Sequence, residues 1–167
     1  ILTADNIHEV RYRAIVLTRI AVAQSKSGQN EKSRKTINRA LEAAKKIKLT
    51  FAQAFAYKHV CLALIKISKF SGSKHFELAI KTATLISDDK IRAKTLWSLY
   101  WESMAINNDQ SQEKLFQMAE QATSEIKSAF TRVWMFTEIA IEHFSAKRKA
   151  QAKKALTRAL KITLNIE

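Results

Sequence analysis

The stretch "RAIVLTRIAVAQSKSG", residues 13–28, decides the fold because it is the first of four related segments. Its opening dipeptide, Arg13-Ala14, returns at regular intervals along the chain. The dipeptides aligned with it are Gln53-Ala54, Arg92-Ala93 and Arg132-Val133, at spacings of 40, 39 and 40 residues. A fixed period of this size is typical of a protein built from stacked repeats.

The composition favours helices throughout. The 167 residues include no proline and two glycines, Gly28 and Gly72. Hairpins and tight β-turns depend on those residue types, whereas Ala, Leu, Lys, Glu and Gln are good helix formers. We therefore expect an all-α protein, and the chain is long enough for one domain with a substantial core.

Each repeat contains two apolar blocks with helical spacing, separated by a polar turn. The turns are "SKSGQNE", "SKFSGSK", "INNDQSQ" and "FSAKRK". The sequence thus predicts a single repeat domain of antiparallel helix-turn-helix units at about 11–50, 51–89, 90–128 and 129–167. Asn108, Asp109 and Ser111 are natural helix caps. We expect the second helices to end on the apolar residues Ile47, Ile86 and Ile126, seven positions before the next small apolar residue.

The spacing inside a unit resembles the tetratricopeptide repeat (TPR), whose signature alternates large and small residues at fixed steps. In the first unit these steps fall on Ile20, Ala21, Gln24, Gly28, Ser33, Ile37 and Ala40, and in the fourth on Ile139, Ala140, His143, Lys147, Ala152, Leu156 and Ala159. The resemblance implies a right-handed α-solenoid of about four helix pairs. The period exceeds the usual value of about 34 residues, and no proline closes the units. A HEAT-like array is the structural alternative.

Close packing of antiparallel helices explains this pattern. Small residues let two helices approach, and larger ones fill the gap to the neighbouring unit. The small positions are Ala21, Ala40, Ala119, Ala140, Ala152 and Ala159, and the bulky ones are Ile37, Phe76, Phe116 and Leu156.

The two ends of the chain resemble interior parts of an array. Ile7 precedes Ala14 by seven residues, so residues 1–10 are expected to form the end of a preceding helix, with a frayed segment as the alternative. Ile166 occupies the corresponding last position, with nothing to cover it. Because solenoids normally need polar terminal units, the sequence predicts a fragment of a longer chain, or ends covered by a partner.

Residues with catalytic chemistry are scattered. His8, His59, His75 and His143 show no metal-binding spacing, and no glycine-rich phosphate loop is present. We expect His143 to be a core histidine and Cys61 a buried, inert thiol. The sequence therefore predicts no enzyme activity, no metal and no cofactor. A single cysteine and the lack of a long apolar run weakly favour a soluble, cytoplasmic protein but leave the compartment open.

The TPR resemblance implies that one face of each leading helix lines a concave groove for a peptide or helix. The groove residues are Phe55, Lys58, Leu62, Lys66, Lys94, Trp97, Trp101, Met104, Trp134, Ile141 and Phe144. An exposed aromatic strip usually marks a binding surface, and tryptophan often dominates interface energy. Lys58, Lys66 and Lys94 would select acidic flanks. The alternative places Trp97 and Trp101 in the core.

The net charge of +14 is concentrated in the second helices of the first and fourth units. Residues that could bind anions there are Arg34, Lys35, Arg39, Lys147, Arg148, Lys153, Lys154 and Arg158. Such faces are often only solvated, but nucleic acid or an anionic surface would also select them. The leading hypothesis is a non-enzymatic protein-interaction scaffold. The alternatives are nucleic-acid or anionic-surface binding, and end-to-end self-assembly.

Overall fold

The computed structural model describes residues 9–71, 74–105 and 109–165, except for the side chains of residues 109–111. This part of the chain contains eight α-helices and no strand, which confirms the all-α prediction. The helices are α1 (Val10–Lys26), α2 (Asn30–Lys45), α3 (Thr50–Ser71), α4 (Lys74–Ala83), α5 (Asp89–Ala105), α6 (Asp109–Ser124), α7 (Ala129–Ser145) and α8 (Lys149–Thr163).

The chain forms two compact units, Ile1–Ala119 and Glu120–Glu167. In the first unit α1 packs against α2 and α3, α3 also packs against α2, α4 and α5, and α4 packs against α5. In the second unit α7 packs against α8. Helices therefore contact their neighbours in sequence, in a repeat-like helical arrangement. The unit boundaries drawn from the sequence stay predictions.

Two of the turns inside helix pairs have the same geometry. Gly28 after α1 and Lys147 after α7 both have a positive φ, +73° and +60°. The backbone N–H groups of Lys147 and Arg148 donate to the carbonyls of Phe144 and His143, and residues 28 and 29 make the matching bonds after α1. This arrangement is the Schellman motif, in which a left-handed residue ends a helix. The fourth turn therefore ends α7 without a glycine.

The polar residue of the recurring dipeptide binds the turn that follows the preceding helix. Three equivalent hydrogen bonds join Gln53 Nε2 to the Ile47 carbonyl (2.9 Å), Arg92 Nη1 to the Ile86 carbonyl (3.1 Å) and Arg132 Nη1 to the Ile126 carbonyl (2.5 Å). Carbonyls at and just beyond a helix end have no partner within the helix, so an external donor satisfies them. The periodic Arg or Gln thus fixes each helix end to the start of the next helix.

The apolar residue before each of these junctions lies outside the helix, and this part of the sequence prediction is wrong. Helices α2, α4 and α6 end at Lys45, Ala83 and Ser124. The isoleucines follow in the turn, where Ile86 and Ile126 are buried. Their side chains therefore anchor the turns, while their carbonyls accept the capping bonds.

Short polar residues begin two of the leading helices. Asp88 Oδ1 accepts a hydrogen bond from the Ile91 backbone N–H at 2.7 Å, and Ser128 Oγ accepts one from the Thr131 N–H at 3.2 Å. These are N-caps, which satisfy free donors of the first turn. The caps predicted at Asn108, Asp109 and Ser111, and the predicted ends at Ile7 and Ile166, lie outside the described residues or side chains.

The small residues pack where the sequence places them. All six predicted small positions are buried, from Ala21 to Ala159. Polar contacts join the paired helices at the same places. Ser33 Oγ donates to the Ala21 carbonyl at 2.7 Å, and Cys61 Sγ lies 3.4 Å from the Ala79 carbonyl. Among the predicted bulky positions, Ile37 and Phe76 are buried, but Leu156 is 46% exposed. The prediction that Leu156 fills a gap between units is wrong in this structure.

Removing one helix cap should measurably weaken the fold. Gln53→Ala deletes the bond to the Ile47 carbonyl and leaves a half-buried acceptor without its donor. We expect the free energy of unfolding to fall by about 1–2 kcal/mol in urea titrations followed by circular dichroism. Gln151→Ala, at an exposed position of α8, is the control and should change little. Equal effects of the two substitutions would contradict a capping role.

Candidate interaction surfaces

No cluster of three or more His, Cys, Asp or Glu side chains in the described part of the chain is arranged to hold a metal ion. Cys61 is fully buried, and burial raises the pKa of its thiol far above the usual range, which keeps it protonated. Within the described ranges, no helix has both the length and the apolar composition needed to cross a bilayer.

His143 is a core residue of the second unit. Its side chain is buried on α7. Burial, together with the nearby charge of Arg148, lowers the pKa of its imidazole to about 4. The ring is therefore neutral at physiological pH, because the desolvated site disfavours its charged form.

Four aromatic residues of the first unit form a cluster, which we call the aromatic cluster: Trp97, Tyr100 and Trp101 on α5 and Phe116 on α6. The Trp97 ring stacks on Trp101 at 5.9 Å between centroids and meets Phe116 edge to face at 5.8 Å. Trp97 is only 4% exposed, and Trp101 is half-buried. The Trp97 ring is therefore packed against α5 and α6 of the first unit.

A stripe of exposed and half-buried residues runs along α3 in the first unit. We call it the α3 surface, and it consists of Phe51, Phe55, Lys58, Leu62 and Lys66. These residues recur at helical spacing, so they share one side of α3. Phe51, Phe55 and Lys66 are exposed, while Lys58 and Leu62 are half-buried. Aromatic side chains thus occupy the first half of the stripe and lysines the second half.

Cations surround the middle of the α3 surface. Lys58 Nζ lies 5.8 Å from the Phe55 ring centroid, and the His59 ring meets Phe55 edge to face at 4.7 Å. Burial is the main cause that lowers the pKa of His59, and the charges of Lys58, Arg19 and Lys66 lower it further. A helix of the same unit, α1, supplies Arg19. The local potential is therefore positive and suits an acidic ligand.

The remaining predicted groove residues of the first unit lie on α5. Lys94 is exposed and Met104 is half-buried. Lys94 lies one turn before Trp97, whose ring is buried. The part of α5 that remains accessible is therefore less aromatic than the sequence suggests.

The second unit places its predicted groove residues on one exposed side of α7. Trp134 is exposed in part, and Ile141 and Phe144 are largely exposed, at 60% and 66%. Phe130, which the sequence analysis did not select, is exposed four residues before Trp134. Phe51, which aligns with Phe130 at the start of α3, was not among the predicted groove residues either.

The predicted anion-binding residues are partly paired with acids. Arg34 Nη2 lies 2.8 Å from Glu31 Oε1, and Lys35 lies 3.9 Å from the same carboxylate. In the second unit, Arg158 Nη1 and Lys154 Nζ lie 2.6 and 3.6 Å from Glu120 Oε1.

The other predicted anion-binding residues differ in exposure. Lys147 and Lys153 are exposed, whereas Arg39 and Arg148 are half-buried. The basic positions therefore do not form one uniform set of available cations.

Leu156 and Leu160 of α8, together with Leu164 directly after it, form an exposed stripe that the sequence analysis treated as core or left out. Leu156, Leu160 and Leu164 are 46%, 64% and 84% exposed. Their spacing of four residues places them on one side of the helix. The periodicity alone could not reveal this exposure, because buried and exposed stripes have the same spacing.

Comparisons with known protein families, curated proteins and solved structures gave no match.

Truncating the buried indole should destabilise the protein more than truncating a neighbouring half-buried one. Trp97→Ala leaves a large cavity in the aromatic cluster, so we expect a loss of about 3–5 kcal/mol in the free energy of unfolding. Trp101→Ala should cost less, because part of its ring already contacts water. Chemical denaturation followed by circular dichroism measures both. A smaller loss for Trp97→Ala than for Trp101→Ala would contradict the packing described above.

The burial of His143 should make stability depend on pH between about 6.5 and 4. The unfolded chain binds a proton near pH 6.5, whereas the folded ring has a pKa of about 4. The unfolded state therefore binds more protons in this window, and stability falls as the pH decreases, by up to about 1.4 kcal/mol per pH unit. Urea titrations between pH 7 and pH 5 should show a flatter dependence for His143→Gln than for the natural chain. Parallel curves would refute this assignment.

Proposed function

We propose that the chain is a right-handed α-solenoid of four TPR-like units. Three equivalent hydrogen bonds, to the carbonyls of Ile47, Ile86 and Ile126, recur at the period of the sequence repeat and support this arrangement. The contacts of α3 with α1, α2, α4 and α5 are also the pattern expected when helix pairs stack in order.

We further propose that the protein is a non-enzymatic interaction scaffold that binds an acidic peptide or helix on the α3 surface. The observation that supports this function is the stripe on α3, where exposed Phe51 and Phe55 precede Lys58 and Lys66. Exposed aromatic rings beside cations provide both an apolar anchor and a complement to carboxylates. A helical or extended ligand would place an apolar side chain against Phe55 and acidic side chains toward the lysines.

The charges around the α3 surface favour an acidic ligand. Arg19, Lys58 and Lys66 are close enough to His59 to lower the pKa of its ring. Charge complementarity of this kind increases association rates and selects partners, and it weakens as salt screens it. Leu62 lies between the two lysines on the same side of α3 and provides a second apolar contact.

Nucleic-acid or anionic-surface binding is less well supported. It requires the basic second helices to present available cations. In the first unit Arg34 and Lys35 are paired with Glu31, and in the second unit Lys154 and Arg158 are paired with Glu120. The cations needed for that function are thus partly neutralised within the protein. End-to-end self-assembly through Ile7 and Ile166 concerns residues outside the described ranges and stays a prediction.

Substitutions on the α3 surface should weaken peptide binding without unfolding the protein. Acidic peptides selected from a displayed library against the natural chain would be labelled, and their affinity measured by fluorescence anisotropy. We expect Phe55→Ala and Lys66→Glu each to weaken binding by roughly tenfold, because they remove an anchor and reverse a charge.

The matched controls lie away from the α3 surface. Leu85→Ala removes an exposed apolar side chain in the turn after α4, and Lys81→Glu reverses an exposed charge on α4. Both should leave the affinity unchanged, and circular dichroism should show that all four variants melt like the natural chain. If the controls weaken binding as much as the α3 variants, the proposed surface is not the binding site.

A further inference from the structure

His59 is a half-buried histidine beside Phe55 on the α3 surface. The two rings meet edge to face, with 4.7 Å between their centroids. His59 follows Phe55 by four residues and precedes Lys66 by seven, so all three residues lie on one side of α3. A ligand that packs an apolar side chain on Phe55 therefore brings its next turn alongside the imidazole.

The histidines of the described ranges differ in the surroundings of their ring nitrogens. His75 Nδ1 lies 3.1 Å from Ser71 Oγ, and His143 is buried. The His59 side chain is only half-buried, and no hydrogen bond joins its ring to another group in this part of the chain. Both nitrogens of a protonated imidazole are donors. His59 can thus donate a hydrogen bond to a ligand without giving up one within the protein.

The charges around His59 are positive. Burial is the main cause that lowers the pKa of its ring. The cations Lys58 and Lys66 on α3 and Arg19 on α1 lower this pKa further. The free protein therefore keeps the imidazole mainly neutral at physiological pH, because a protonated ring would add a further charge to three cations.

The other helices that pack against α3 leave this balance unchanged. These helices are α2, α4 and α5, and within the described ranges none of their charged groups alters the pKa of His59. On α5, the Glu102 carboxylate lies 2.6 Å from Lys69 Nζ of α3, so its charge is already paired. An acid that counters the cations around His59 must therefore come from a ligand.

We propose that His59 recognises a carboxylate of the ligand and takes up a proton when that ligand binds. This inference rests on the function proposed for the α3 surface, the binding of an acidic peptide or helix. The carboxylate would lie beside the imidazole, near Lys58 and Lys66, and the proton would come from the solvent. A carboxylate counters the charge of the cations and accepts an N–H bond from the ring, and both effects favour the protonated imidazole.

Proton uptake makes the affinity depend on pH in a defined direction. The pKa of the free ring lies below its usual value of 6.5, and the pKa of the ligand-bound ring is higher. Between these two values the complex holds more protons than its separate components, so the affinity increases as the pH falls through this window. An opposite charge in contact changes a pKa by about 1 or more. A change of 1 corresponds to about a tenfold change in affinity.

Calorimetric titration of the intact chain with a peptide tests this proposal. The probe is an acidic peptide selected from a displayed library, whose affinity for the chain falls with Phe55→Ala. Titrations in phosphate and in Tris, which differ in ionisation enthalpy, measure the protons taken up per peptide bound. We expect uptake near neutral pH, and an affinity about tenfold higher at pH 6 than at pH 8. The variant His59→Gln should show neither effect.

A second histidine provides the matched control. His75 is half-buried on α4, and its ring lies against Ser71 rather than on the α3 surface. His75→Gln should therefore retain both the proton uptake and the pH dependence of the natural chain. Loss of both effects in His75→Gln, with both retained in His59→Gln, would assign the proton to the other ring and overturn the proposal.

The remaining outcomes separate this proposal from the function on which it rests. If no selected peptide loses affinity with Phe55→Ala or Lys66→Glu, the α3 surface is not the binding site and both proposals are wrong. If a peptide binds there without proton uptake and with the same affinity at both pH values, only the role of His59 is wrong. Since His59 is half-buried, NMR titration of its ring in the natural chain provides a test without substitution. A pKa that does not rise on peptide binding would also overturn the proposal.

Discussion

The helical arrangement depends on how each second helix ends and the next helix begins. The carbonyls just beyond a helix end need donors from outside the helix, and here a side chain from the following helix supplies them. Gln53, Arg92 and Arg132 make this bond at the same register, each to an isoleucine carbonyl six residues earlier. The bond restricts the path of the chain between two helices, so the next helix starts in a defined place. A small apolar residue follows each donor and allows close packing at that place.

The same local geometry leaves different surfaces open along the chain. In the first unit, α3 packs against four neighbouring helices and still exposes Phe51, Phe55 and Lys66 on one side. In the second unit, the pair α7–α8 exposes Phe144 and Leu156, whereas the aligned Ser25 and Ile37 of the first pair are buried. These two surfaces differ in composition, since one begins with aromatic rings and the other is mainly aliphatic.

Much of the fold could be predicted from the sequence because helical period and packing leave a direct pattern. The absence of proline, the spacing of apolar residues and the six small positions together predicted helices in pairs, and the small positions are buried. The sequence also identified His143 and Cys61 as buried residues. It did not reveal why Arg or Gln recurs every 39 or 40 residues, because the bond that these side chains make depends on the direction of the turn. The direction of the turn is also the reason that the sequence analysis assigned Ile47, Ile86 and Ile126 to helices.

The sequence by itself determined the helical class, the period and the residues that can form exposed stripes. Only the tertiary structure decided which stripes are covered. Trp97 and Phe55 occupy similar apolar faces of leading helices, yet Trp97 is enclosed by Tyr100, Trp101 and Phe116 while Phe55 remains exposed. Ile37 and Leu156 occupy the same position in the repeat, yet Ile37 is buried and Leu156 is exposed. The physical reason is that helical periodicity specifies the side of a helix on which a residue lies, whereas burial depends on whether another helix packs against that side.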